Sequence, residues 1–292
     1  MILVFGSINI DVLVPVPHLP RPGETVLGGD YALLPGGKGA NQALAARRAG
    51  AAVALAGAVG DDAFADIALA GLMAAGVDLA LVRRVAGPTG CAQIMVGGDG
   101  ENLIAVASGA NREVAAAEIP EARFGPATVA VLQMEVPPDQ NRALLYRACA
   151  AGGRMLLNLA PAAPIERPLF GSIDILVANR GEAATLGDNP AAMARHLRQA
   201  LIITDGGAGS AAFLADGGHL AIPALPIKPI DTTGAGDTFV GVLAAGLDAR
   251  LPLRQALRRA SAAAGLACLS HGAQTAMPDS AAIDAAVARL PD

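Results

Sequence analysis

The chain has 292 residues, of which 53% are hydrophobic and 16% charged, a balance that suits one large α/β domain and excludes general disorder. Lys and Arg total 21 against 26 Asp and Glu, a formal net charge of −5, so no basic nucleic-acid face is expected. Cys91, Cys149 and Cys268 stand too far apart for a CxxC zinc or redox site and read as reduced thiols.

The start, Met-Ile-Leu-Val-Phe, has no basic leader and reads as a strand. Mean hydropathy is +0.46. Even so, Arg47-Arg48, Arg83-Arg84, Asp237 and Arg258-Arg259 break every apolar stretch below the ~18 residues of a spanning helix. A cytoplasmic protein without a membrane partner is expected.

Short apolar runs bounded by Gly, Asn, Asp or Pro predict buried parallel strands at Ile2–Phe5, Val53–Ala58, Val129–Met134, Met155–Leu159, Ile173–Ala178 and Leu201–Thr204. Between them, helices are predicted over Gly39–Arg48, Phe64–Ala75, Asn141–Ala151 and Ala191–Arg198, and later over Gly236–Leu247 and Leu253–Leu269. The alternation predicts a doubly wound, mainly parallel sheet with helices on both faces, in a single domain over residues 1–292. Val12–Leu34 and Thr89–Ala107 alternate like strands and carry Gly/Pro turns. They predict a small antiparallel flap beside the main sheet.

Ordinary phosphate signatures fail. A Walker A loop ending at Gly37-Lys38 would need Gly at Ala32 and Ser or Thr at Gly39. Three other runs carry chemistry. Asp231-Thr-Thr-Gly-Ala-Gly-Asp-Thr-Phe puts Gly234, Ala235 and Gly236 at a predicted helix start, where unpaired N–H groups can hold an anion. Asp237 then offers a carboxylate beside that hole, as a base or as a simple helix cap. Gly36-Gly-Lys-Gly-Ala-Asn-Gln supplies close-approach glycines, a cation and an amide, or merely a solvated turn. Gly6-Ser-Ile-Asn-Ile-Asp places Asn9 and Asp11 on one face of an extended segment, fit for sugar hydroxyls or for an Asx turn.

Taken together, these runs resemble the ribokinase-like (PfkB) carbohydrate kinases. So do Pro22-Gly-Glu-Thr, Gly60-Asp-Asp, Gln133-Met-Glu135, Asn158–Ala162, Asn179–Glu182, Thr204–Gly209 and Gly272-Ala-Gln274, all in family order. The resemblance implies an ATP-dependent sugar kinase with a β-sheet lid formed by about 12–34 and 89–107. Asp237 would be the general base and Gly234–Gly236 the anion hole. Asn9, Asp11, Gly37, Lys38, Asn41 and Glu135 would contact the sugar. ATP would meet Asn179, the Thr204, Asp205, Gly206, Gly207, Ala208 and Gly209 loop, Gly236 and Ser261. Glu182 would orient Mg²⁺ through water. Asp231, Thr233, Ala267, Ser270, Gly272 and Ala276 would surround an activating K⁺.

Four positions depart from the family pattern: Ser261 replaces a His near the adenine, Ala276 a Ser, Leu159 a Pro, and Asp205 an apolar residue. Asn9, Lys38 and Asn41 together favour ribose as the acceptor. Deoxyribose, fructose, a keto-sugar acid or a nucleoside are the alternatives within the family, and a non-catalytic sugar-binding regulator the alternative outside it. Lids of this kind imply a homodimer.

Overall fold

The computed structural model describes residues 1–187 and 189–291. The first strand, β1 (Ile2–Phe5), is buried along its whole length. Its side chains alternate between two apolar cores: Ile2 and Val4 enter one, Leu3 and Phe5 the other. A strand apolar on both faces needs cover on both, which is the physical basis of a doubly wound sheet.

Two lid strands follow, β2 (Asn9–Pro15) and β3 (Ala32–Gly36), and then α1 (Lys38–Arg48). The chain returns to the main sheet through β4 (Val53–Gly60), α2 (Ala63–Ala75) and β5 (Asp78–Val85), and completes the lid with β6 (Gly90–Val96) and β7 (Asn102–Ala107). Next come β8 (Val129–Leu132), α3 (Pro138–Ala150), β9 (Arg154–Asn158), β10 (Ile175–Asn179), α4 (Arg180–Ala184), α5 (Pro190–Ala194) and β11 (Ala200–Thr204). An edge hairpin, β12 (Ser210–Leu214) and β13 (His219–Ile222), precedes the helices α6 (Ala235–Asp248), α7 (Leu253–Ala267), α8 (Ala273–Ala276) and α9 (Ser280–Val287).

The main sheet has nine strands in the order β13-β12-β11-β10-β9-β8-β1-β4-β5. Every pairing from β11 across to β5 is parallel, as expected, and the β12–β13 edge is antiparallel. Helices α1, α2, α6, α7 and α9 cover one face, and α3, α4 and α5 the other.

The lid forms a separate four-stranded sheet, β3-β2-β6-β7. It is mixed rather than antiparallel, because β2 and β6 run in the same direction. These two strands are joined through β3, α1, β4, α2 and β5, a connection long enough to bring the chain back in the same direction. Two further expectations are corrected. Helix α5 stops at Ala194, where the chain turns into β11. Residues 273–276, expected as loop, form the short helix α8. Leu159, where the family has Pro, is buried, and its N–H donates to the Val177 carbonyl at 2.8 Å, a bond Pro could not make. Among the described residues no helix is long and apolar enough to cross a membrane. All three cysteines are unpaired.

One helix crossing fixes the site. At Gly241 in α6, an added Cβ would lie 2.5 Å from the Gln42 carbonyl oxygen and 2.7 Å from Ala45 Cβ in α1. The two backbones therefore approach closer than any side chain permits. Gly241→Val should force α1 and α6 apart and cost about 1–3 kcal/mol of stability, the usual range for overpacking. Urea unfolding measures this, and an unchanged midpoint would show that the crossing yields freely.

Candidate active site

Parallel α/β sheets bind ligands at the carboxyl ends of their strands. Here β1 leads into Ser7 and Asn9, β8 into Gln133 and Glu135, β10 into Asn179, and β11 into Thr204 and Asp205. The amino-terminal turns of α1 and α6 face the same end.

The carboxylate of Asp237 lies in the first turn of α6 and is buried. Its Oδ2 accepts from Asn41 Nδ2 at 3.0 Å and its Oδ1 from Gln42 Nε2 at 2.9 Å. Gly234, the residue before the helix, has φ 74°, a left-handed conformation that favours glycine. A Cβ there would strike Ala273 at 2.7 Å, whereas one on Gly236 would meet nothing within 4 Å. The open space lies over the first α6 amides, where an anion can approach the backbone. A cleft of about 140 Å³ joins Gly236 and Asp237 to Lys38, Asn179, Glu182 and Thr204.

Asn9 and Asp11 share one face of β2, as predicted. Asn9 is buried, and its Oδ1 accepts from Asn111 Nδ2 at 2.7 Å. Gly37 has φ 87°, and a Cβ on it would lie 2.7 Å from the Asn9 nitrogen. Glu135 Oε2 accepts from Ser7 Oγ at 2.5 Å and from the Lys38 N–H at 3.1 Å. A cavity of about 360 Å³ runs from Asn9 and Glu135 past Asn111 to Arg112 and Pro137. A larger one, about 690 Å³, lies away from this cluster between Ala162–Phe170 and α5, and among the described residues no carboxylate lines it.

Four carboxylates surround Lys38. Burial alone would push its ammonium pKa down, but Asp237, Glu135, Glu182 and Asp11 outweigh burial and hold it above the usual lysine value. For Asp11, burial first, then the charges of Glu135 and Asp237, push the pKa up to about 6, with a partial offset from Lys38.

Asn179 and Glu182 form a reciprocal capping box at α4. Asn179 Oδ1 accepts from the Glu182 N–H at 2.8 Å, and Glu182 Oε2 from the Asn179 N–H at 2.7 Å. This leaves the Asn179 amide N–H groups and one Glu182 oxygen toward the cleft. Gly206–Ala208 form an exposed turn after β11. Asp205, unexplained by the sequence, pairs with Arg180, which offsets its charge beside the glycine turn. Ser261 is buried and donates to the Pro223 carbonyl at 2.6 Å, so its proton is already committed.

Two loops meet at Asp231. Its Oδ1 accepts from the Thr233 N–H at 2.9 Å and its Oδ2 from the Gly272 N–H at 2.8 Å. Burial pushes this carboxyl up, but the bonds from Thr233 and Gly272 outweigh burial and hold it below the usual carboxylate value. Ile230 N–H also donates to the Cys268 carbonyl at 2.8 Å. The stretch holding Asp231 and Thr233 is thus tied to the one running from Ala267 and Ser270 through Gly272 to Ala276.

The sequence did not single out Ser7, Gln42, Asn111 or the side chains of Gln133 and Gln274 as site residues. Of these only Gln42 carried a signal, as part of Asn41-Gln42, two adjacent amides near the start of an otherwise Ala-rich buried helix.

Residues 1–280 match the pfkB family carbohydrate kinase profile. The chain belongs to that family. Such kinases are phosphotransferases acting on a hydroxyl group. A ribokinase of Lactococcus lactis is 36% identical, with 98% of this chain and 97% of that protein covered. The structure of a Thermotoga maritima ribokinase superposes with a TM-score of 0.91 at 28% identity, covering 99% of both chains. The Arabidopsis thaliana ribokinase, solved with ribose and ATP, gives 0.88 at 30% identity, with 98% of both chains covered.

The raised Asp11 pKa carries a stability consequence. Between the unfolded carboxyl value of 3.8 and about 6, the folded state binds more protons than the unfolded chain, so this group's contribution falls as pH rises through that window. Asp11→Asn should therefore stabilise the protein by about 1–3 kcal/mol at pH 8, with the gain fading toward pH 4. Urea unfolding across this range checks it, and a pH-independent difference would contradict it.

Proposed function

We propose that this kinase phosphorylates D-ribose with ATP, yielding D-ribose 5-phosphate and ADP. The observation that carries the reading is a buried Asp237 whose two oxygens are held by amides beside the open backbone of Gly236, in one cleft with Lys38, Asn179 and Glu182. A binding protein needs no base beside an anion hole. The likeness to ribokinases across nearly the whole chain favours ribose over the other acceptors of the family.

In this reading Asp237 takes the proton of the ribose primary hydroxyl as its oxygen attacks the γ-phosphorus in line. The N–H groups at Gly234–Gly236 and the Lys38 ammonium face the charge that grows on the transferring group. Asn9, Asp11, Gly37, Asn41 and Glu135 hold the sugar. Asn179, the Thr204–Gly209 turn, Gly236 and Ser261 hold ATP. Among the described residues no group of His, Cys, Asp and Glu forms a metal cage. That fits a Mg²⁺ carried by the ATP phosphates, with Glu182 reaching it through water. Bound there, Mg²⁺ would neutralise phosphate charge. Asp231 and the carbonyls of its two loops offer oxygen ligands for K⁺. The lid edge exposes Leu103, Ile104 and Val106, with Leu27 and Tyr31 on the loop before β3, an apolar surface suited to a second copy of the chain. The same reading places the enzyme in the cytoplasm, where ATP is made.

The decisive experiment assays wild type and Asp237→Asn with ATP against a panel of sugars and nucleosides. Ribose should be the best acceptor, and the variant should lose at least about 10²-fold in kcat while still binding ribose. A variant within a few-fold of wild type, or a strong preference for another acceptor, contradicts the reading. In tetramethylammonium buffer at constant ionic strength, activity should rise with added KCl, and a flat response would make the Asp231 loops purely structural. Light scattering at micromolar concentration should give a dimer mass, which a monodisperse monomer would refute.

A further inference from the structure

Around Asp237 runs a chain of buried amides, of which only Asn41 is assigned to the sugar. Gln133 Nε2 donates to Gln42 Oε1 at 2.8 Å, and Gln42 Nε2 donates to Asp237 Oδ1. On the other side Gln274 Nε2 donates to Asn41 Oδ1 at 3.1 Å, and Asn41 Nδ2 donates to Asp237 Oδ2. The carboxylate thus ends two relays. All four amides are at least 95% buried: Gln42 and Gln133 at 0% exposure, Gln274 at 4% and Asn41 at 5%.

The relays solve a chemical ambiguity. A primary amide has an acceptor end and a donor end of nearly equal shape. Turned over, Gln42 or Asn41 would present a carbonyl oxygen to the carboxylate, a repulsive contact between two acceptors. Each inner amide is locked by an outer glutamine that donates to its oxygen, so that only its N–H end can face Asp237.

These outer residues are costly. The Oε1 atoms of Gln133 and Gln274 are buried with no hydrogen-bond partner. An orphaned buried acceptor destabilises by about 1–3 kcal/mol. Room is also made for Gln133, since a Cβ on Gly6 would lie 1.8 Å from its Oε1. An apolar side chain at either glutamine would exchange the orphaned oxygen for an unpaired one on Gln42 or Asn41, so the outer amide brings no clear net stability.

We propose that Gln133 and Gln274, acting through Gln42 and Asn41, are positioning residues for phosphoryl transfer that hold the Asp237 carboxylate in the orientation from which it takes the acceptor's proton. The inference rests on the reading of Asp237 as the base. Gln42 belongs to the same relay, one bond from the carboxylate.

The test uses Gln133→Met, Gln274→Met, Gln42→Met and the double variant Gln42→Met/Gln133→Met, with Asp237→Asn beside them, on whichever acceptor wild type prefers. Gln133→Met and Gln274→Met should each lower kcat at least about fivefold, with KM for ATP within twofold. Their thermal midpoints should change little, because the orphaned oxygen removed with each glutamine is replaced by a newly unpaired one on Gln42 or Asn41. A purely structural role predicts the reverse, a shifted midpoint with kcat per folded enzyme intact. In the Gln42→Met background, Gln133→Met should change kcat by less than twofold, since its route to Asp237 is already cut. Multiplying effects would overturn the relay. Should Gln133→Met fail to fold, Gln274→Met tests the other arm alone. Glutamine variants at wild-type kcat with Asp237→Asn inactive overturn the inference alone, whereas an active Asp237→Asn overturns the reading beneath it.

Discussion

Everything at the site depends on how closely α1 and α6 cross. Both helices begin at the ligand-binding edge, and Gly241 lets their backbones touch one to two turns in. The amides of Asn41 and Gln42 consequently come within hydrogen-bond reach of Asp237. A buried carboxylate without such partners would cost several kcal/mol or take up a proton. The crossing is therefore what brings an amide donor to each oxygen of the buried Asp237 carboxyl. A larger residue at the crossing would weaken the packing and part the carboxyl from its donors at once.

Electrostatically the site is unusual for one that receives a polyphosphate. Asp11, Glu135, Asp237 and Glu182 all act on Lys38, and among the described residues Lys38 is the one side-chain cation lining the cleft that joins Asp237 and Glu182 to the α6 turn. Attraction for phosphate must come from backbone N–H groups at the α6 turn, from Lys38, and from cations brought with the nucleotide. The Arg180–Asp205 pair belongs to the same balance. Each masks the other at the rim of the glycine turn, so neither sign dominates the entrance.

Much of this was legible in the residues. Buried parallel strands announce themselves as short apolar runs, and the three motif runs marked Asp237, the open turn at the start of α6 and the strand of Asn9 and Asp11, which the structure brings to one end of the sheet. The parallel β2–β6 pairing escaped, because a pairing partner some eighty residues away leaves no local trace. β5 escaped because Arg83 and Arg84 interrupt an edge strand that is half exposed. The amide relays escaped for a different reason. Gln133 and Gln274 look in sequence like surface residues, and only the fold shows them buried and aimed at other amides. Conversely, Asp205 looked anomalous until Arg180 was found beside it.

Asn111 has a consequence for how a ligand must be protonated. Its amide donates to the oxygen of Asn9, which leaves the Asn9 N–H groups as its unused donors. Asp11, two residues along the same face, when ionised can only accept. A hydroxyl that bridges the Asn9 N–H and Asp11 has one sense open to it: it accepts a hydrogen bond from Asn9 and donates one to Asp11. The strand therefore imposes a one-way circuit on whatever it holds. A fluorine or a methyl ether in the same place would satisfy the amide yet break the circuit at the carboxylate, so the pair distinguishes a hydroxyl from its isosteres by direction rather than by size.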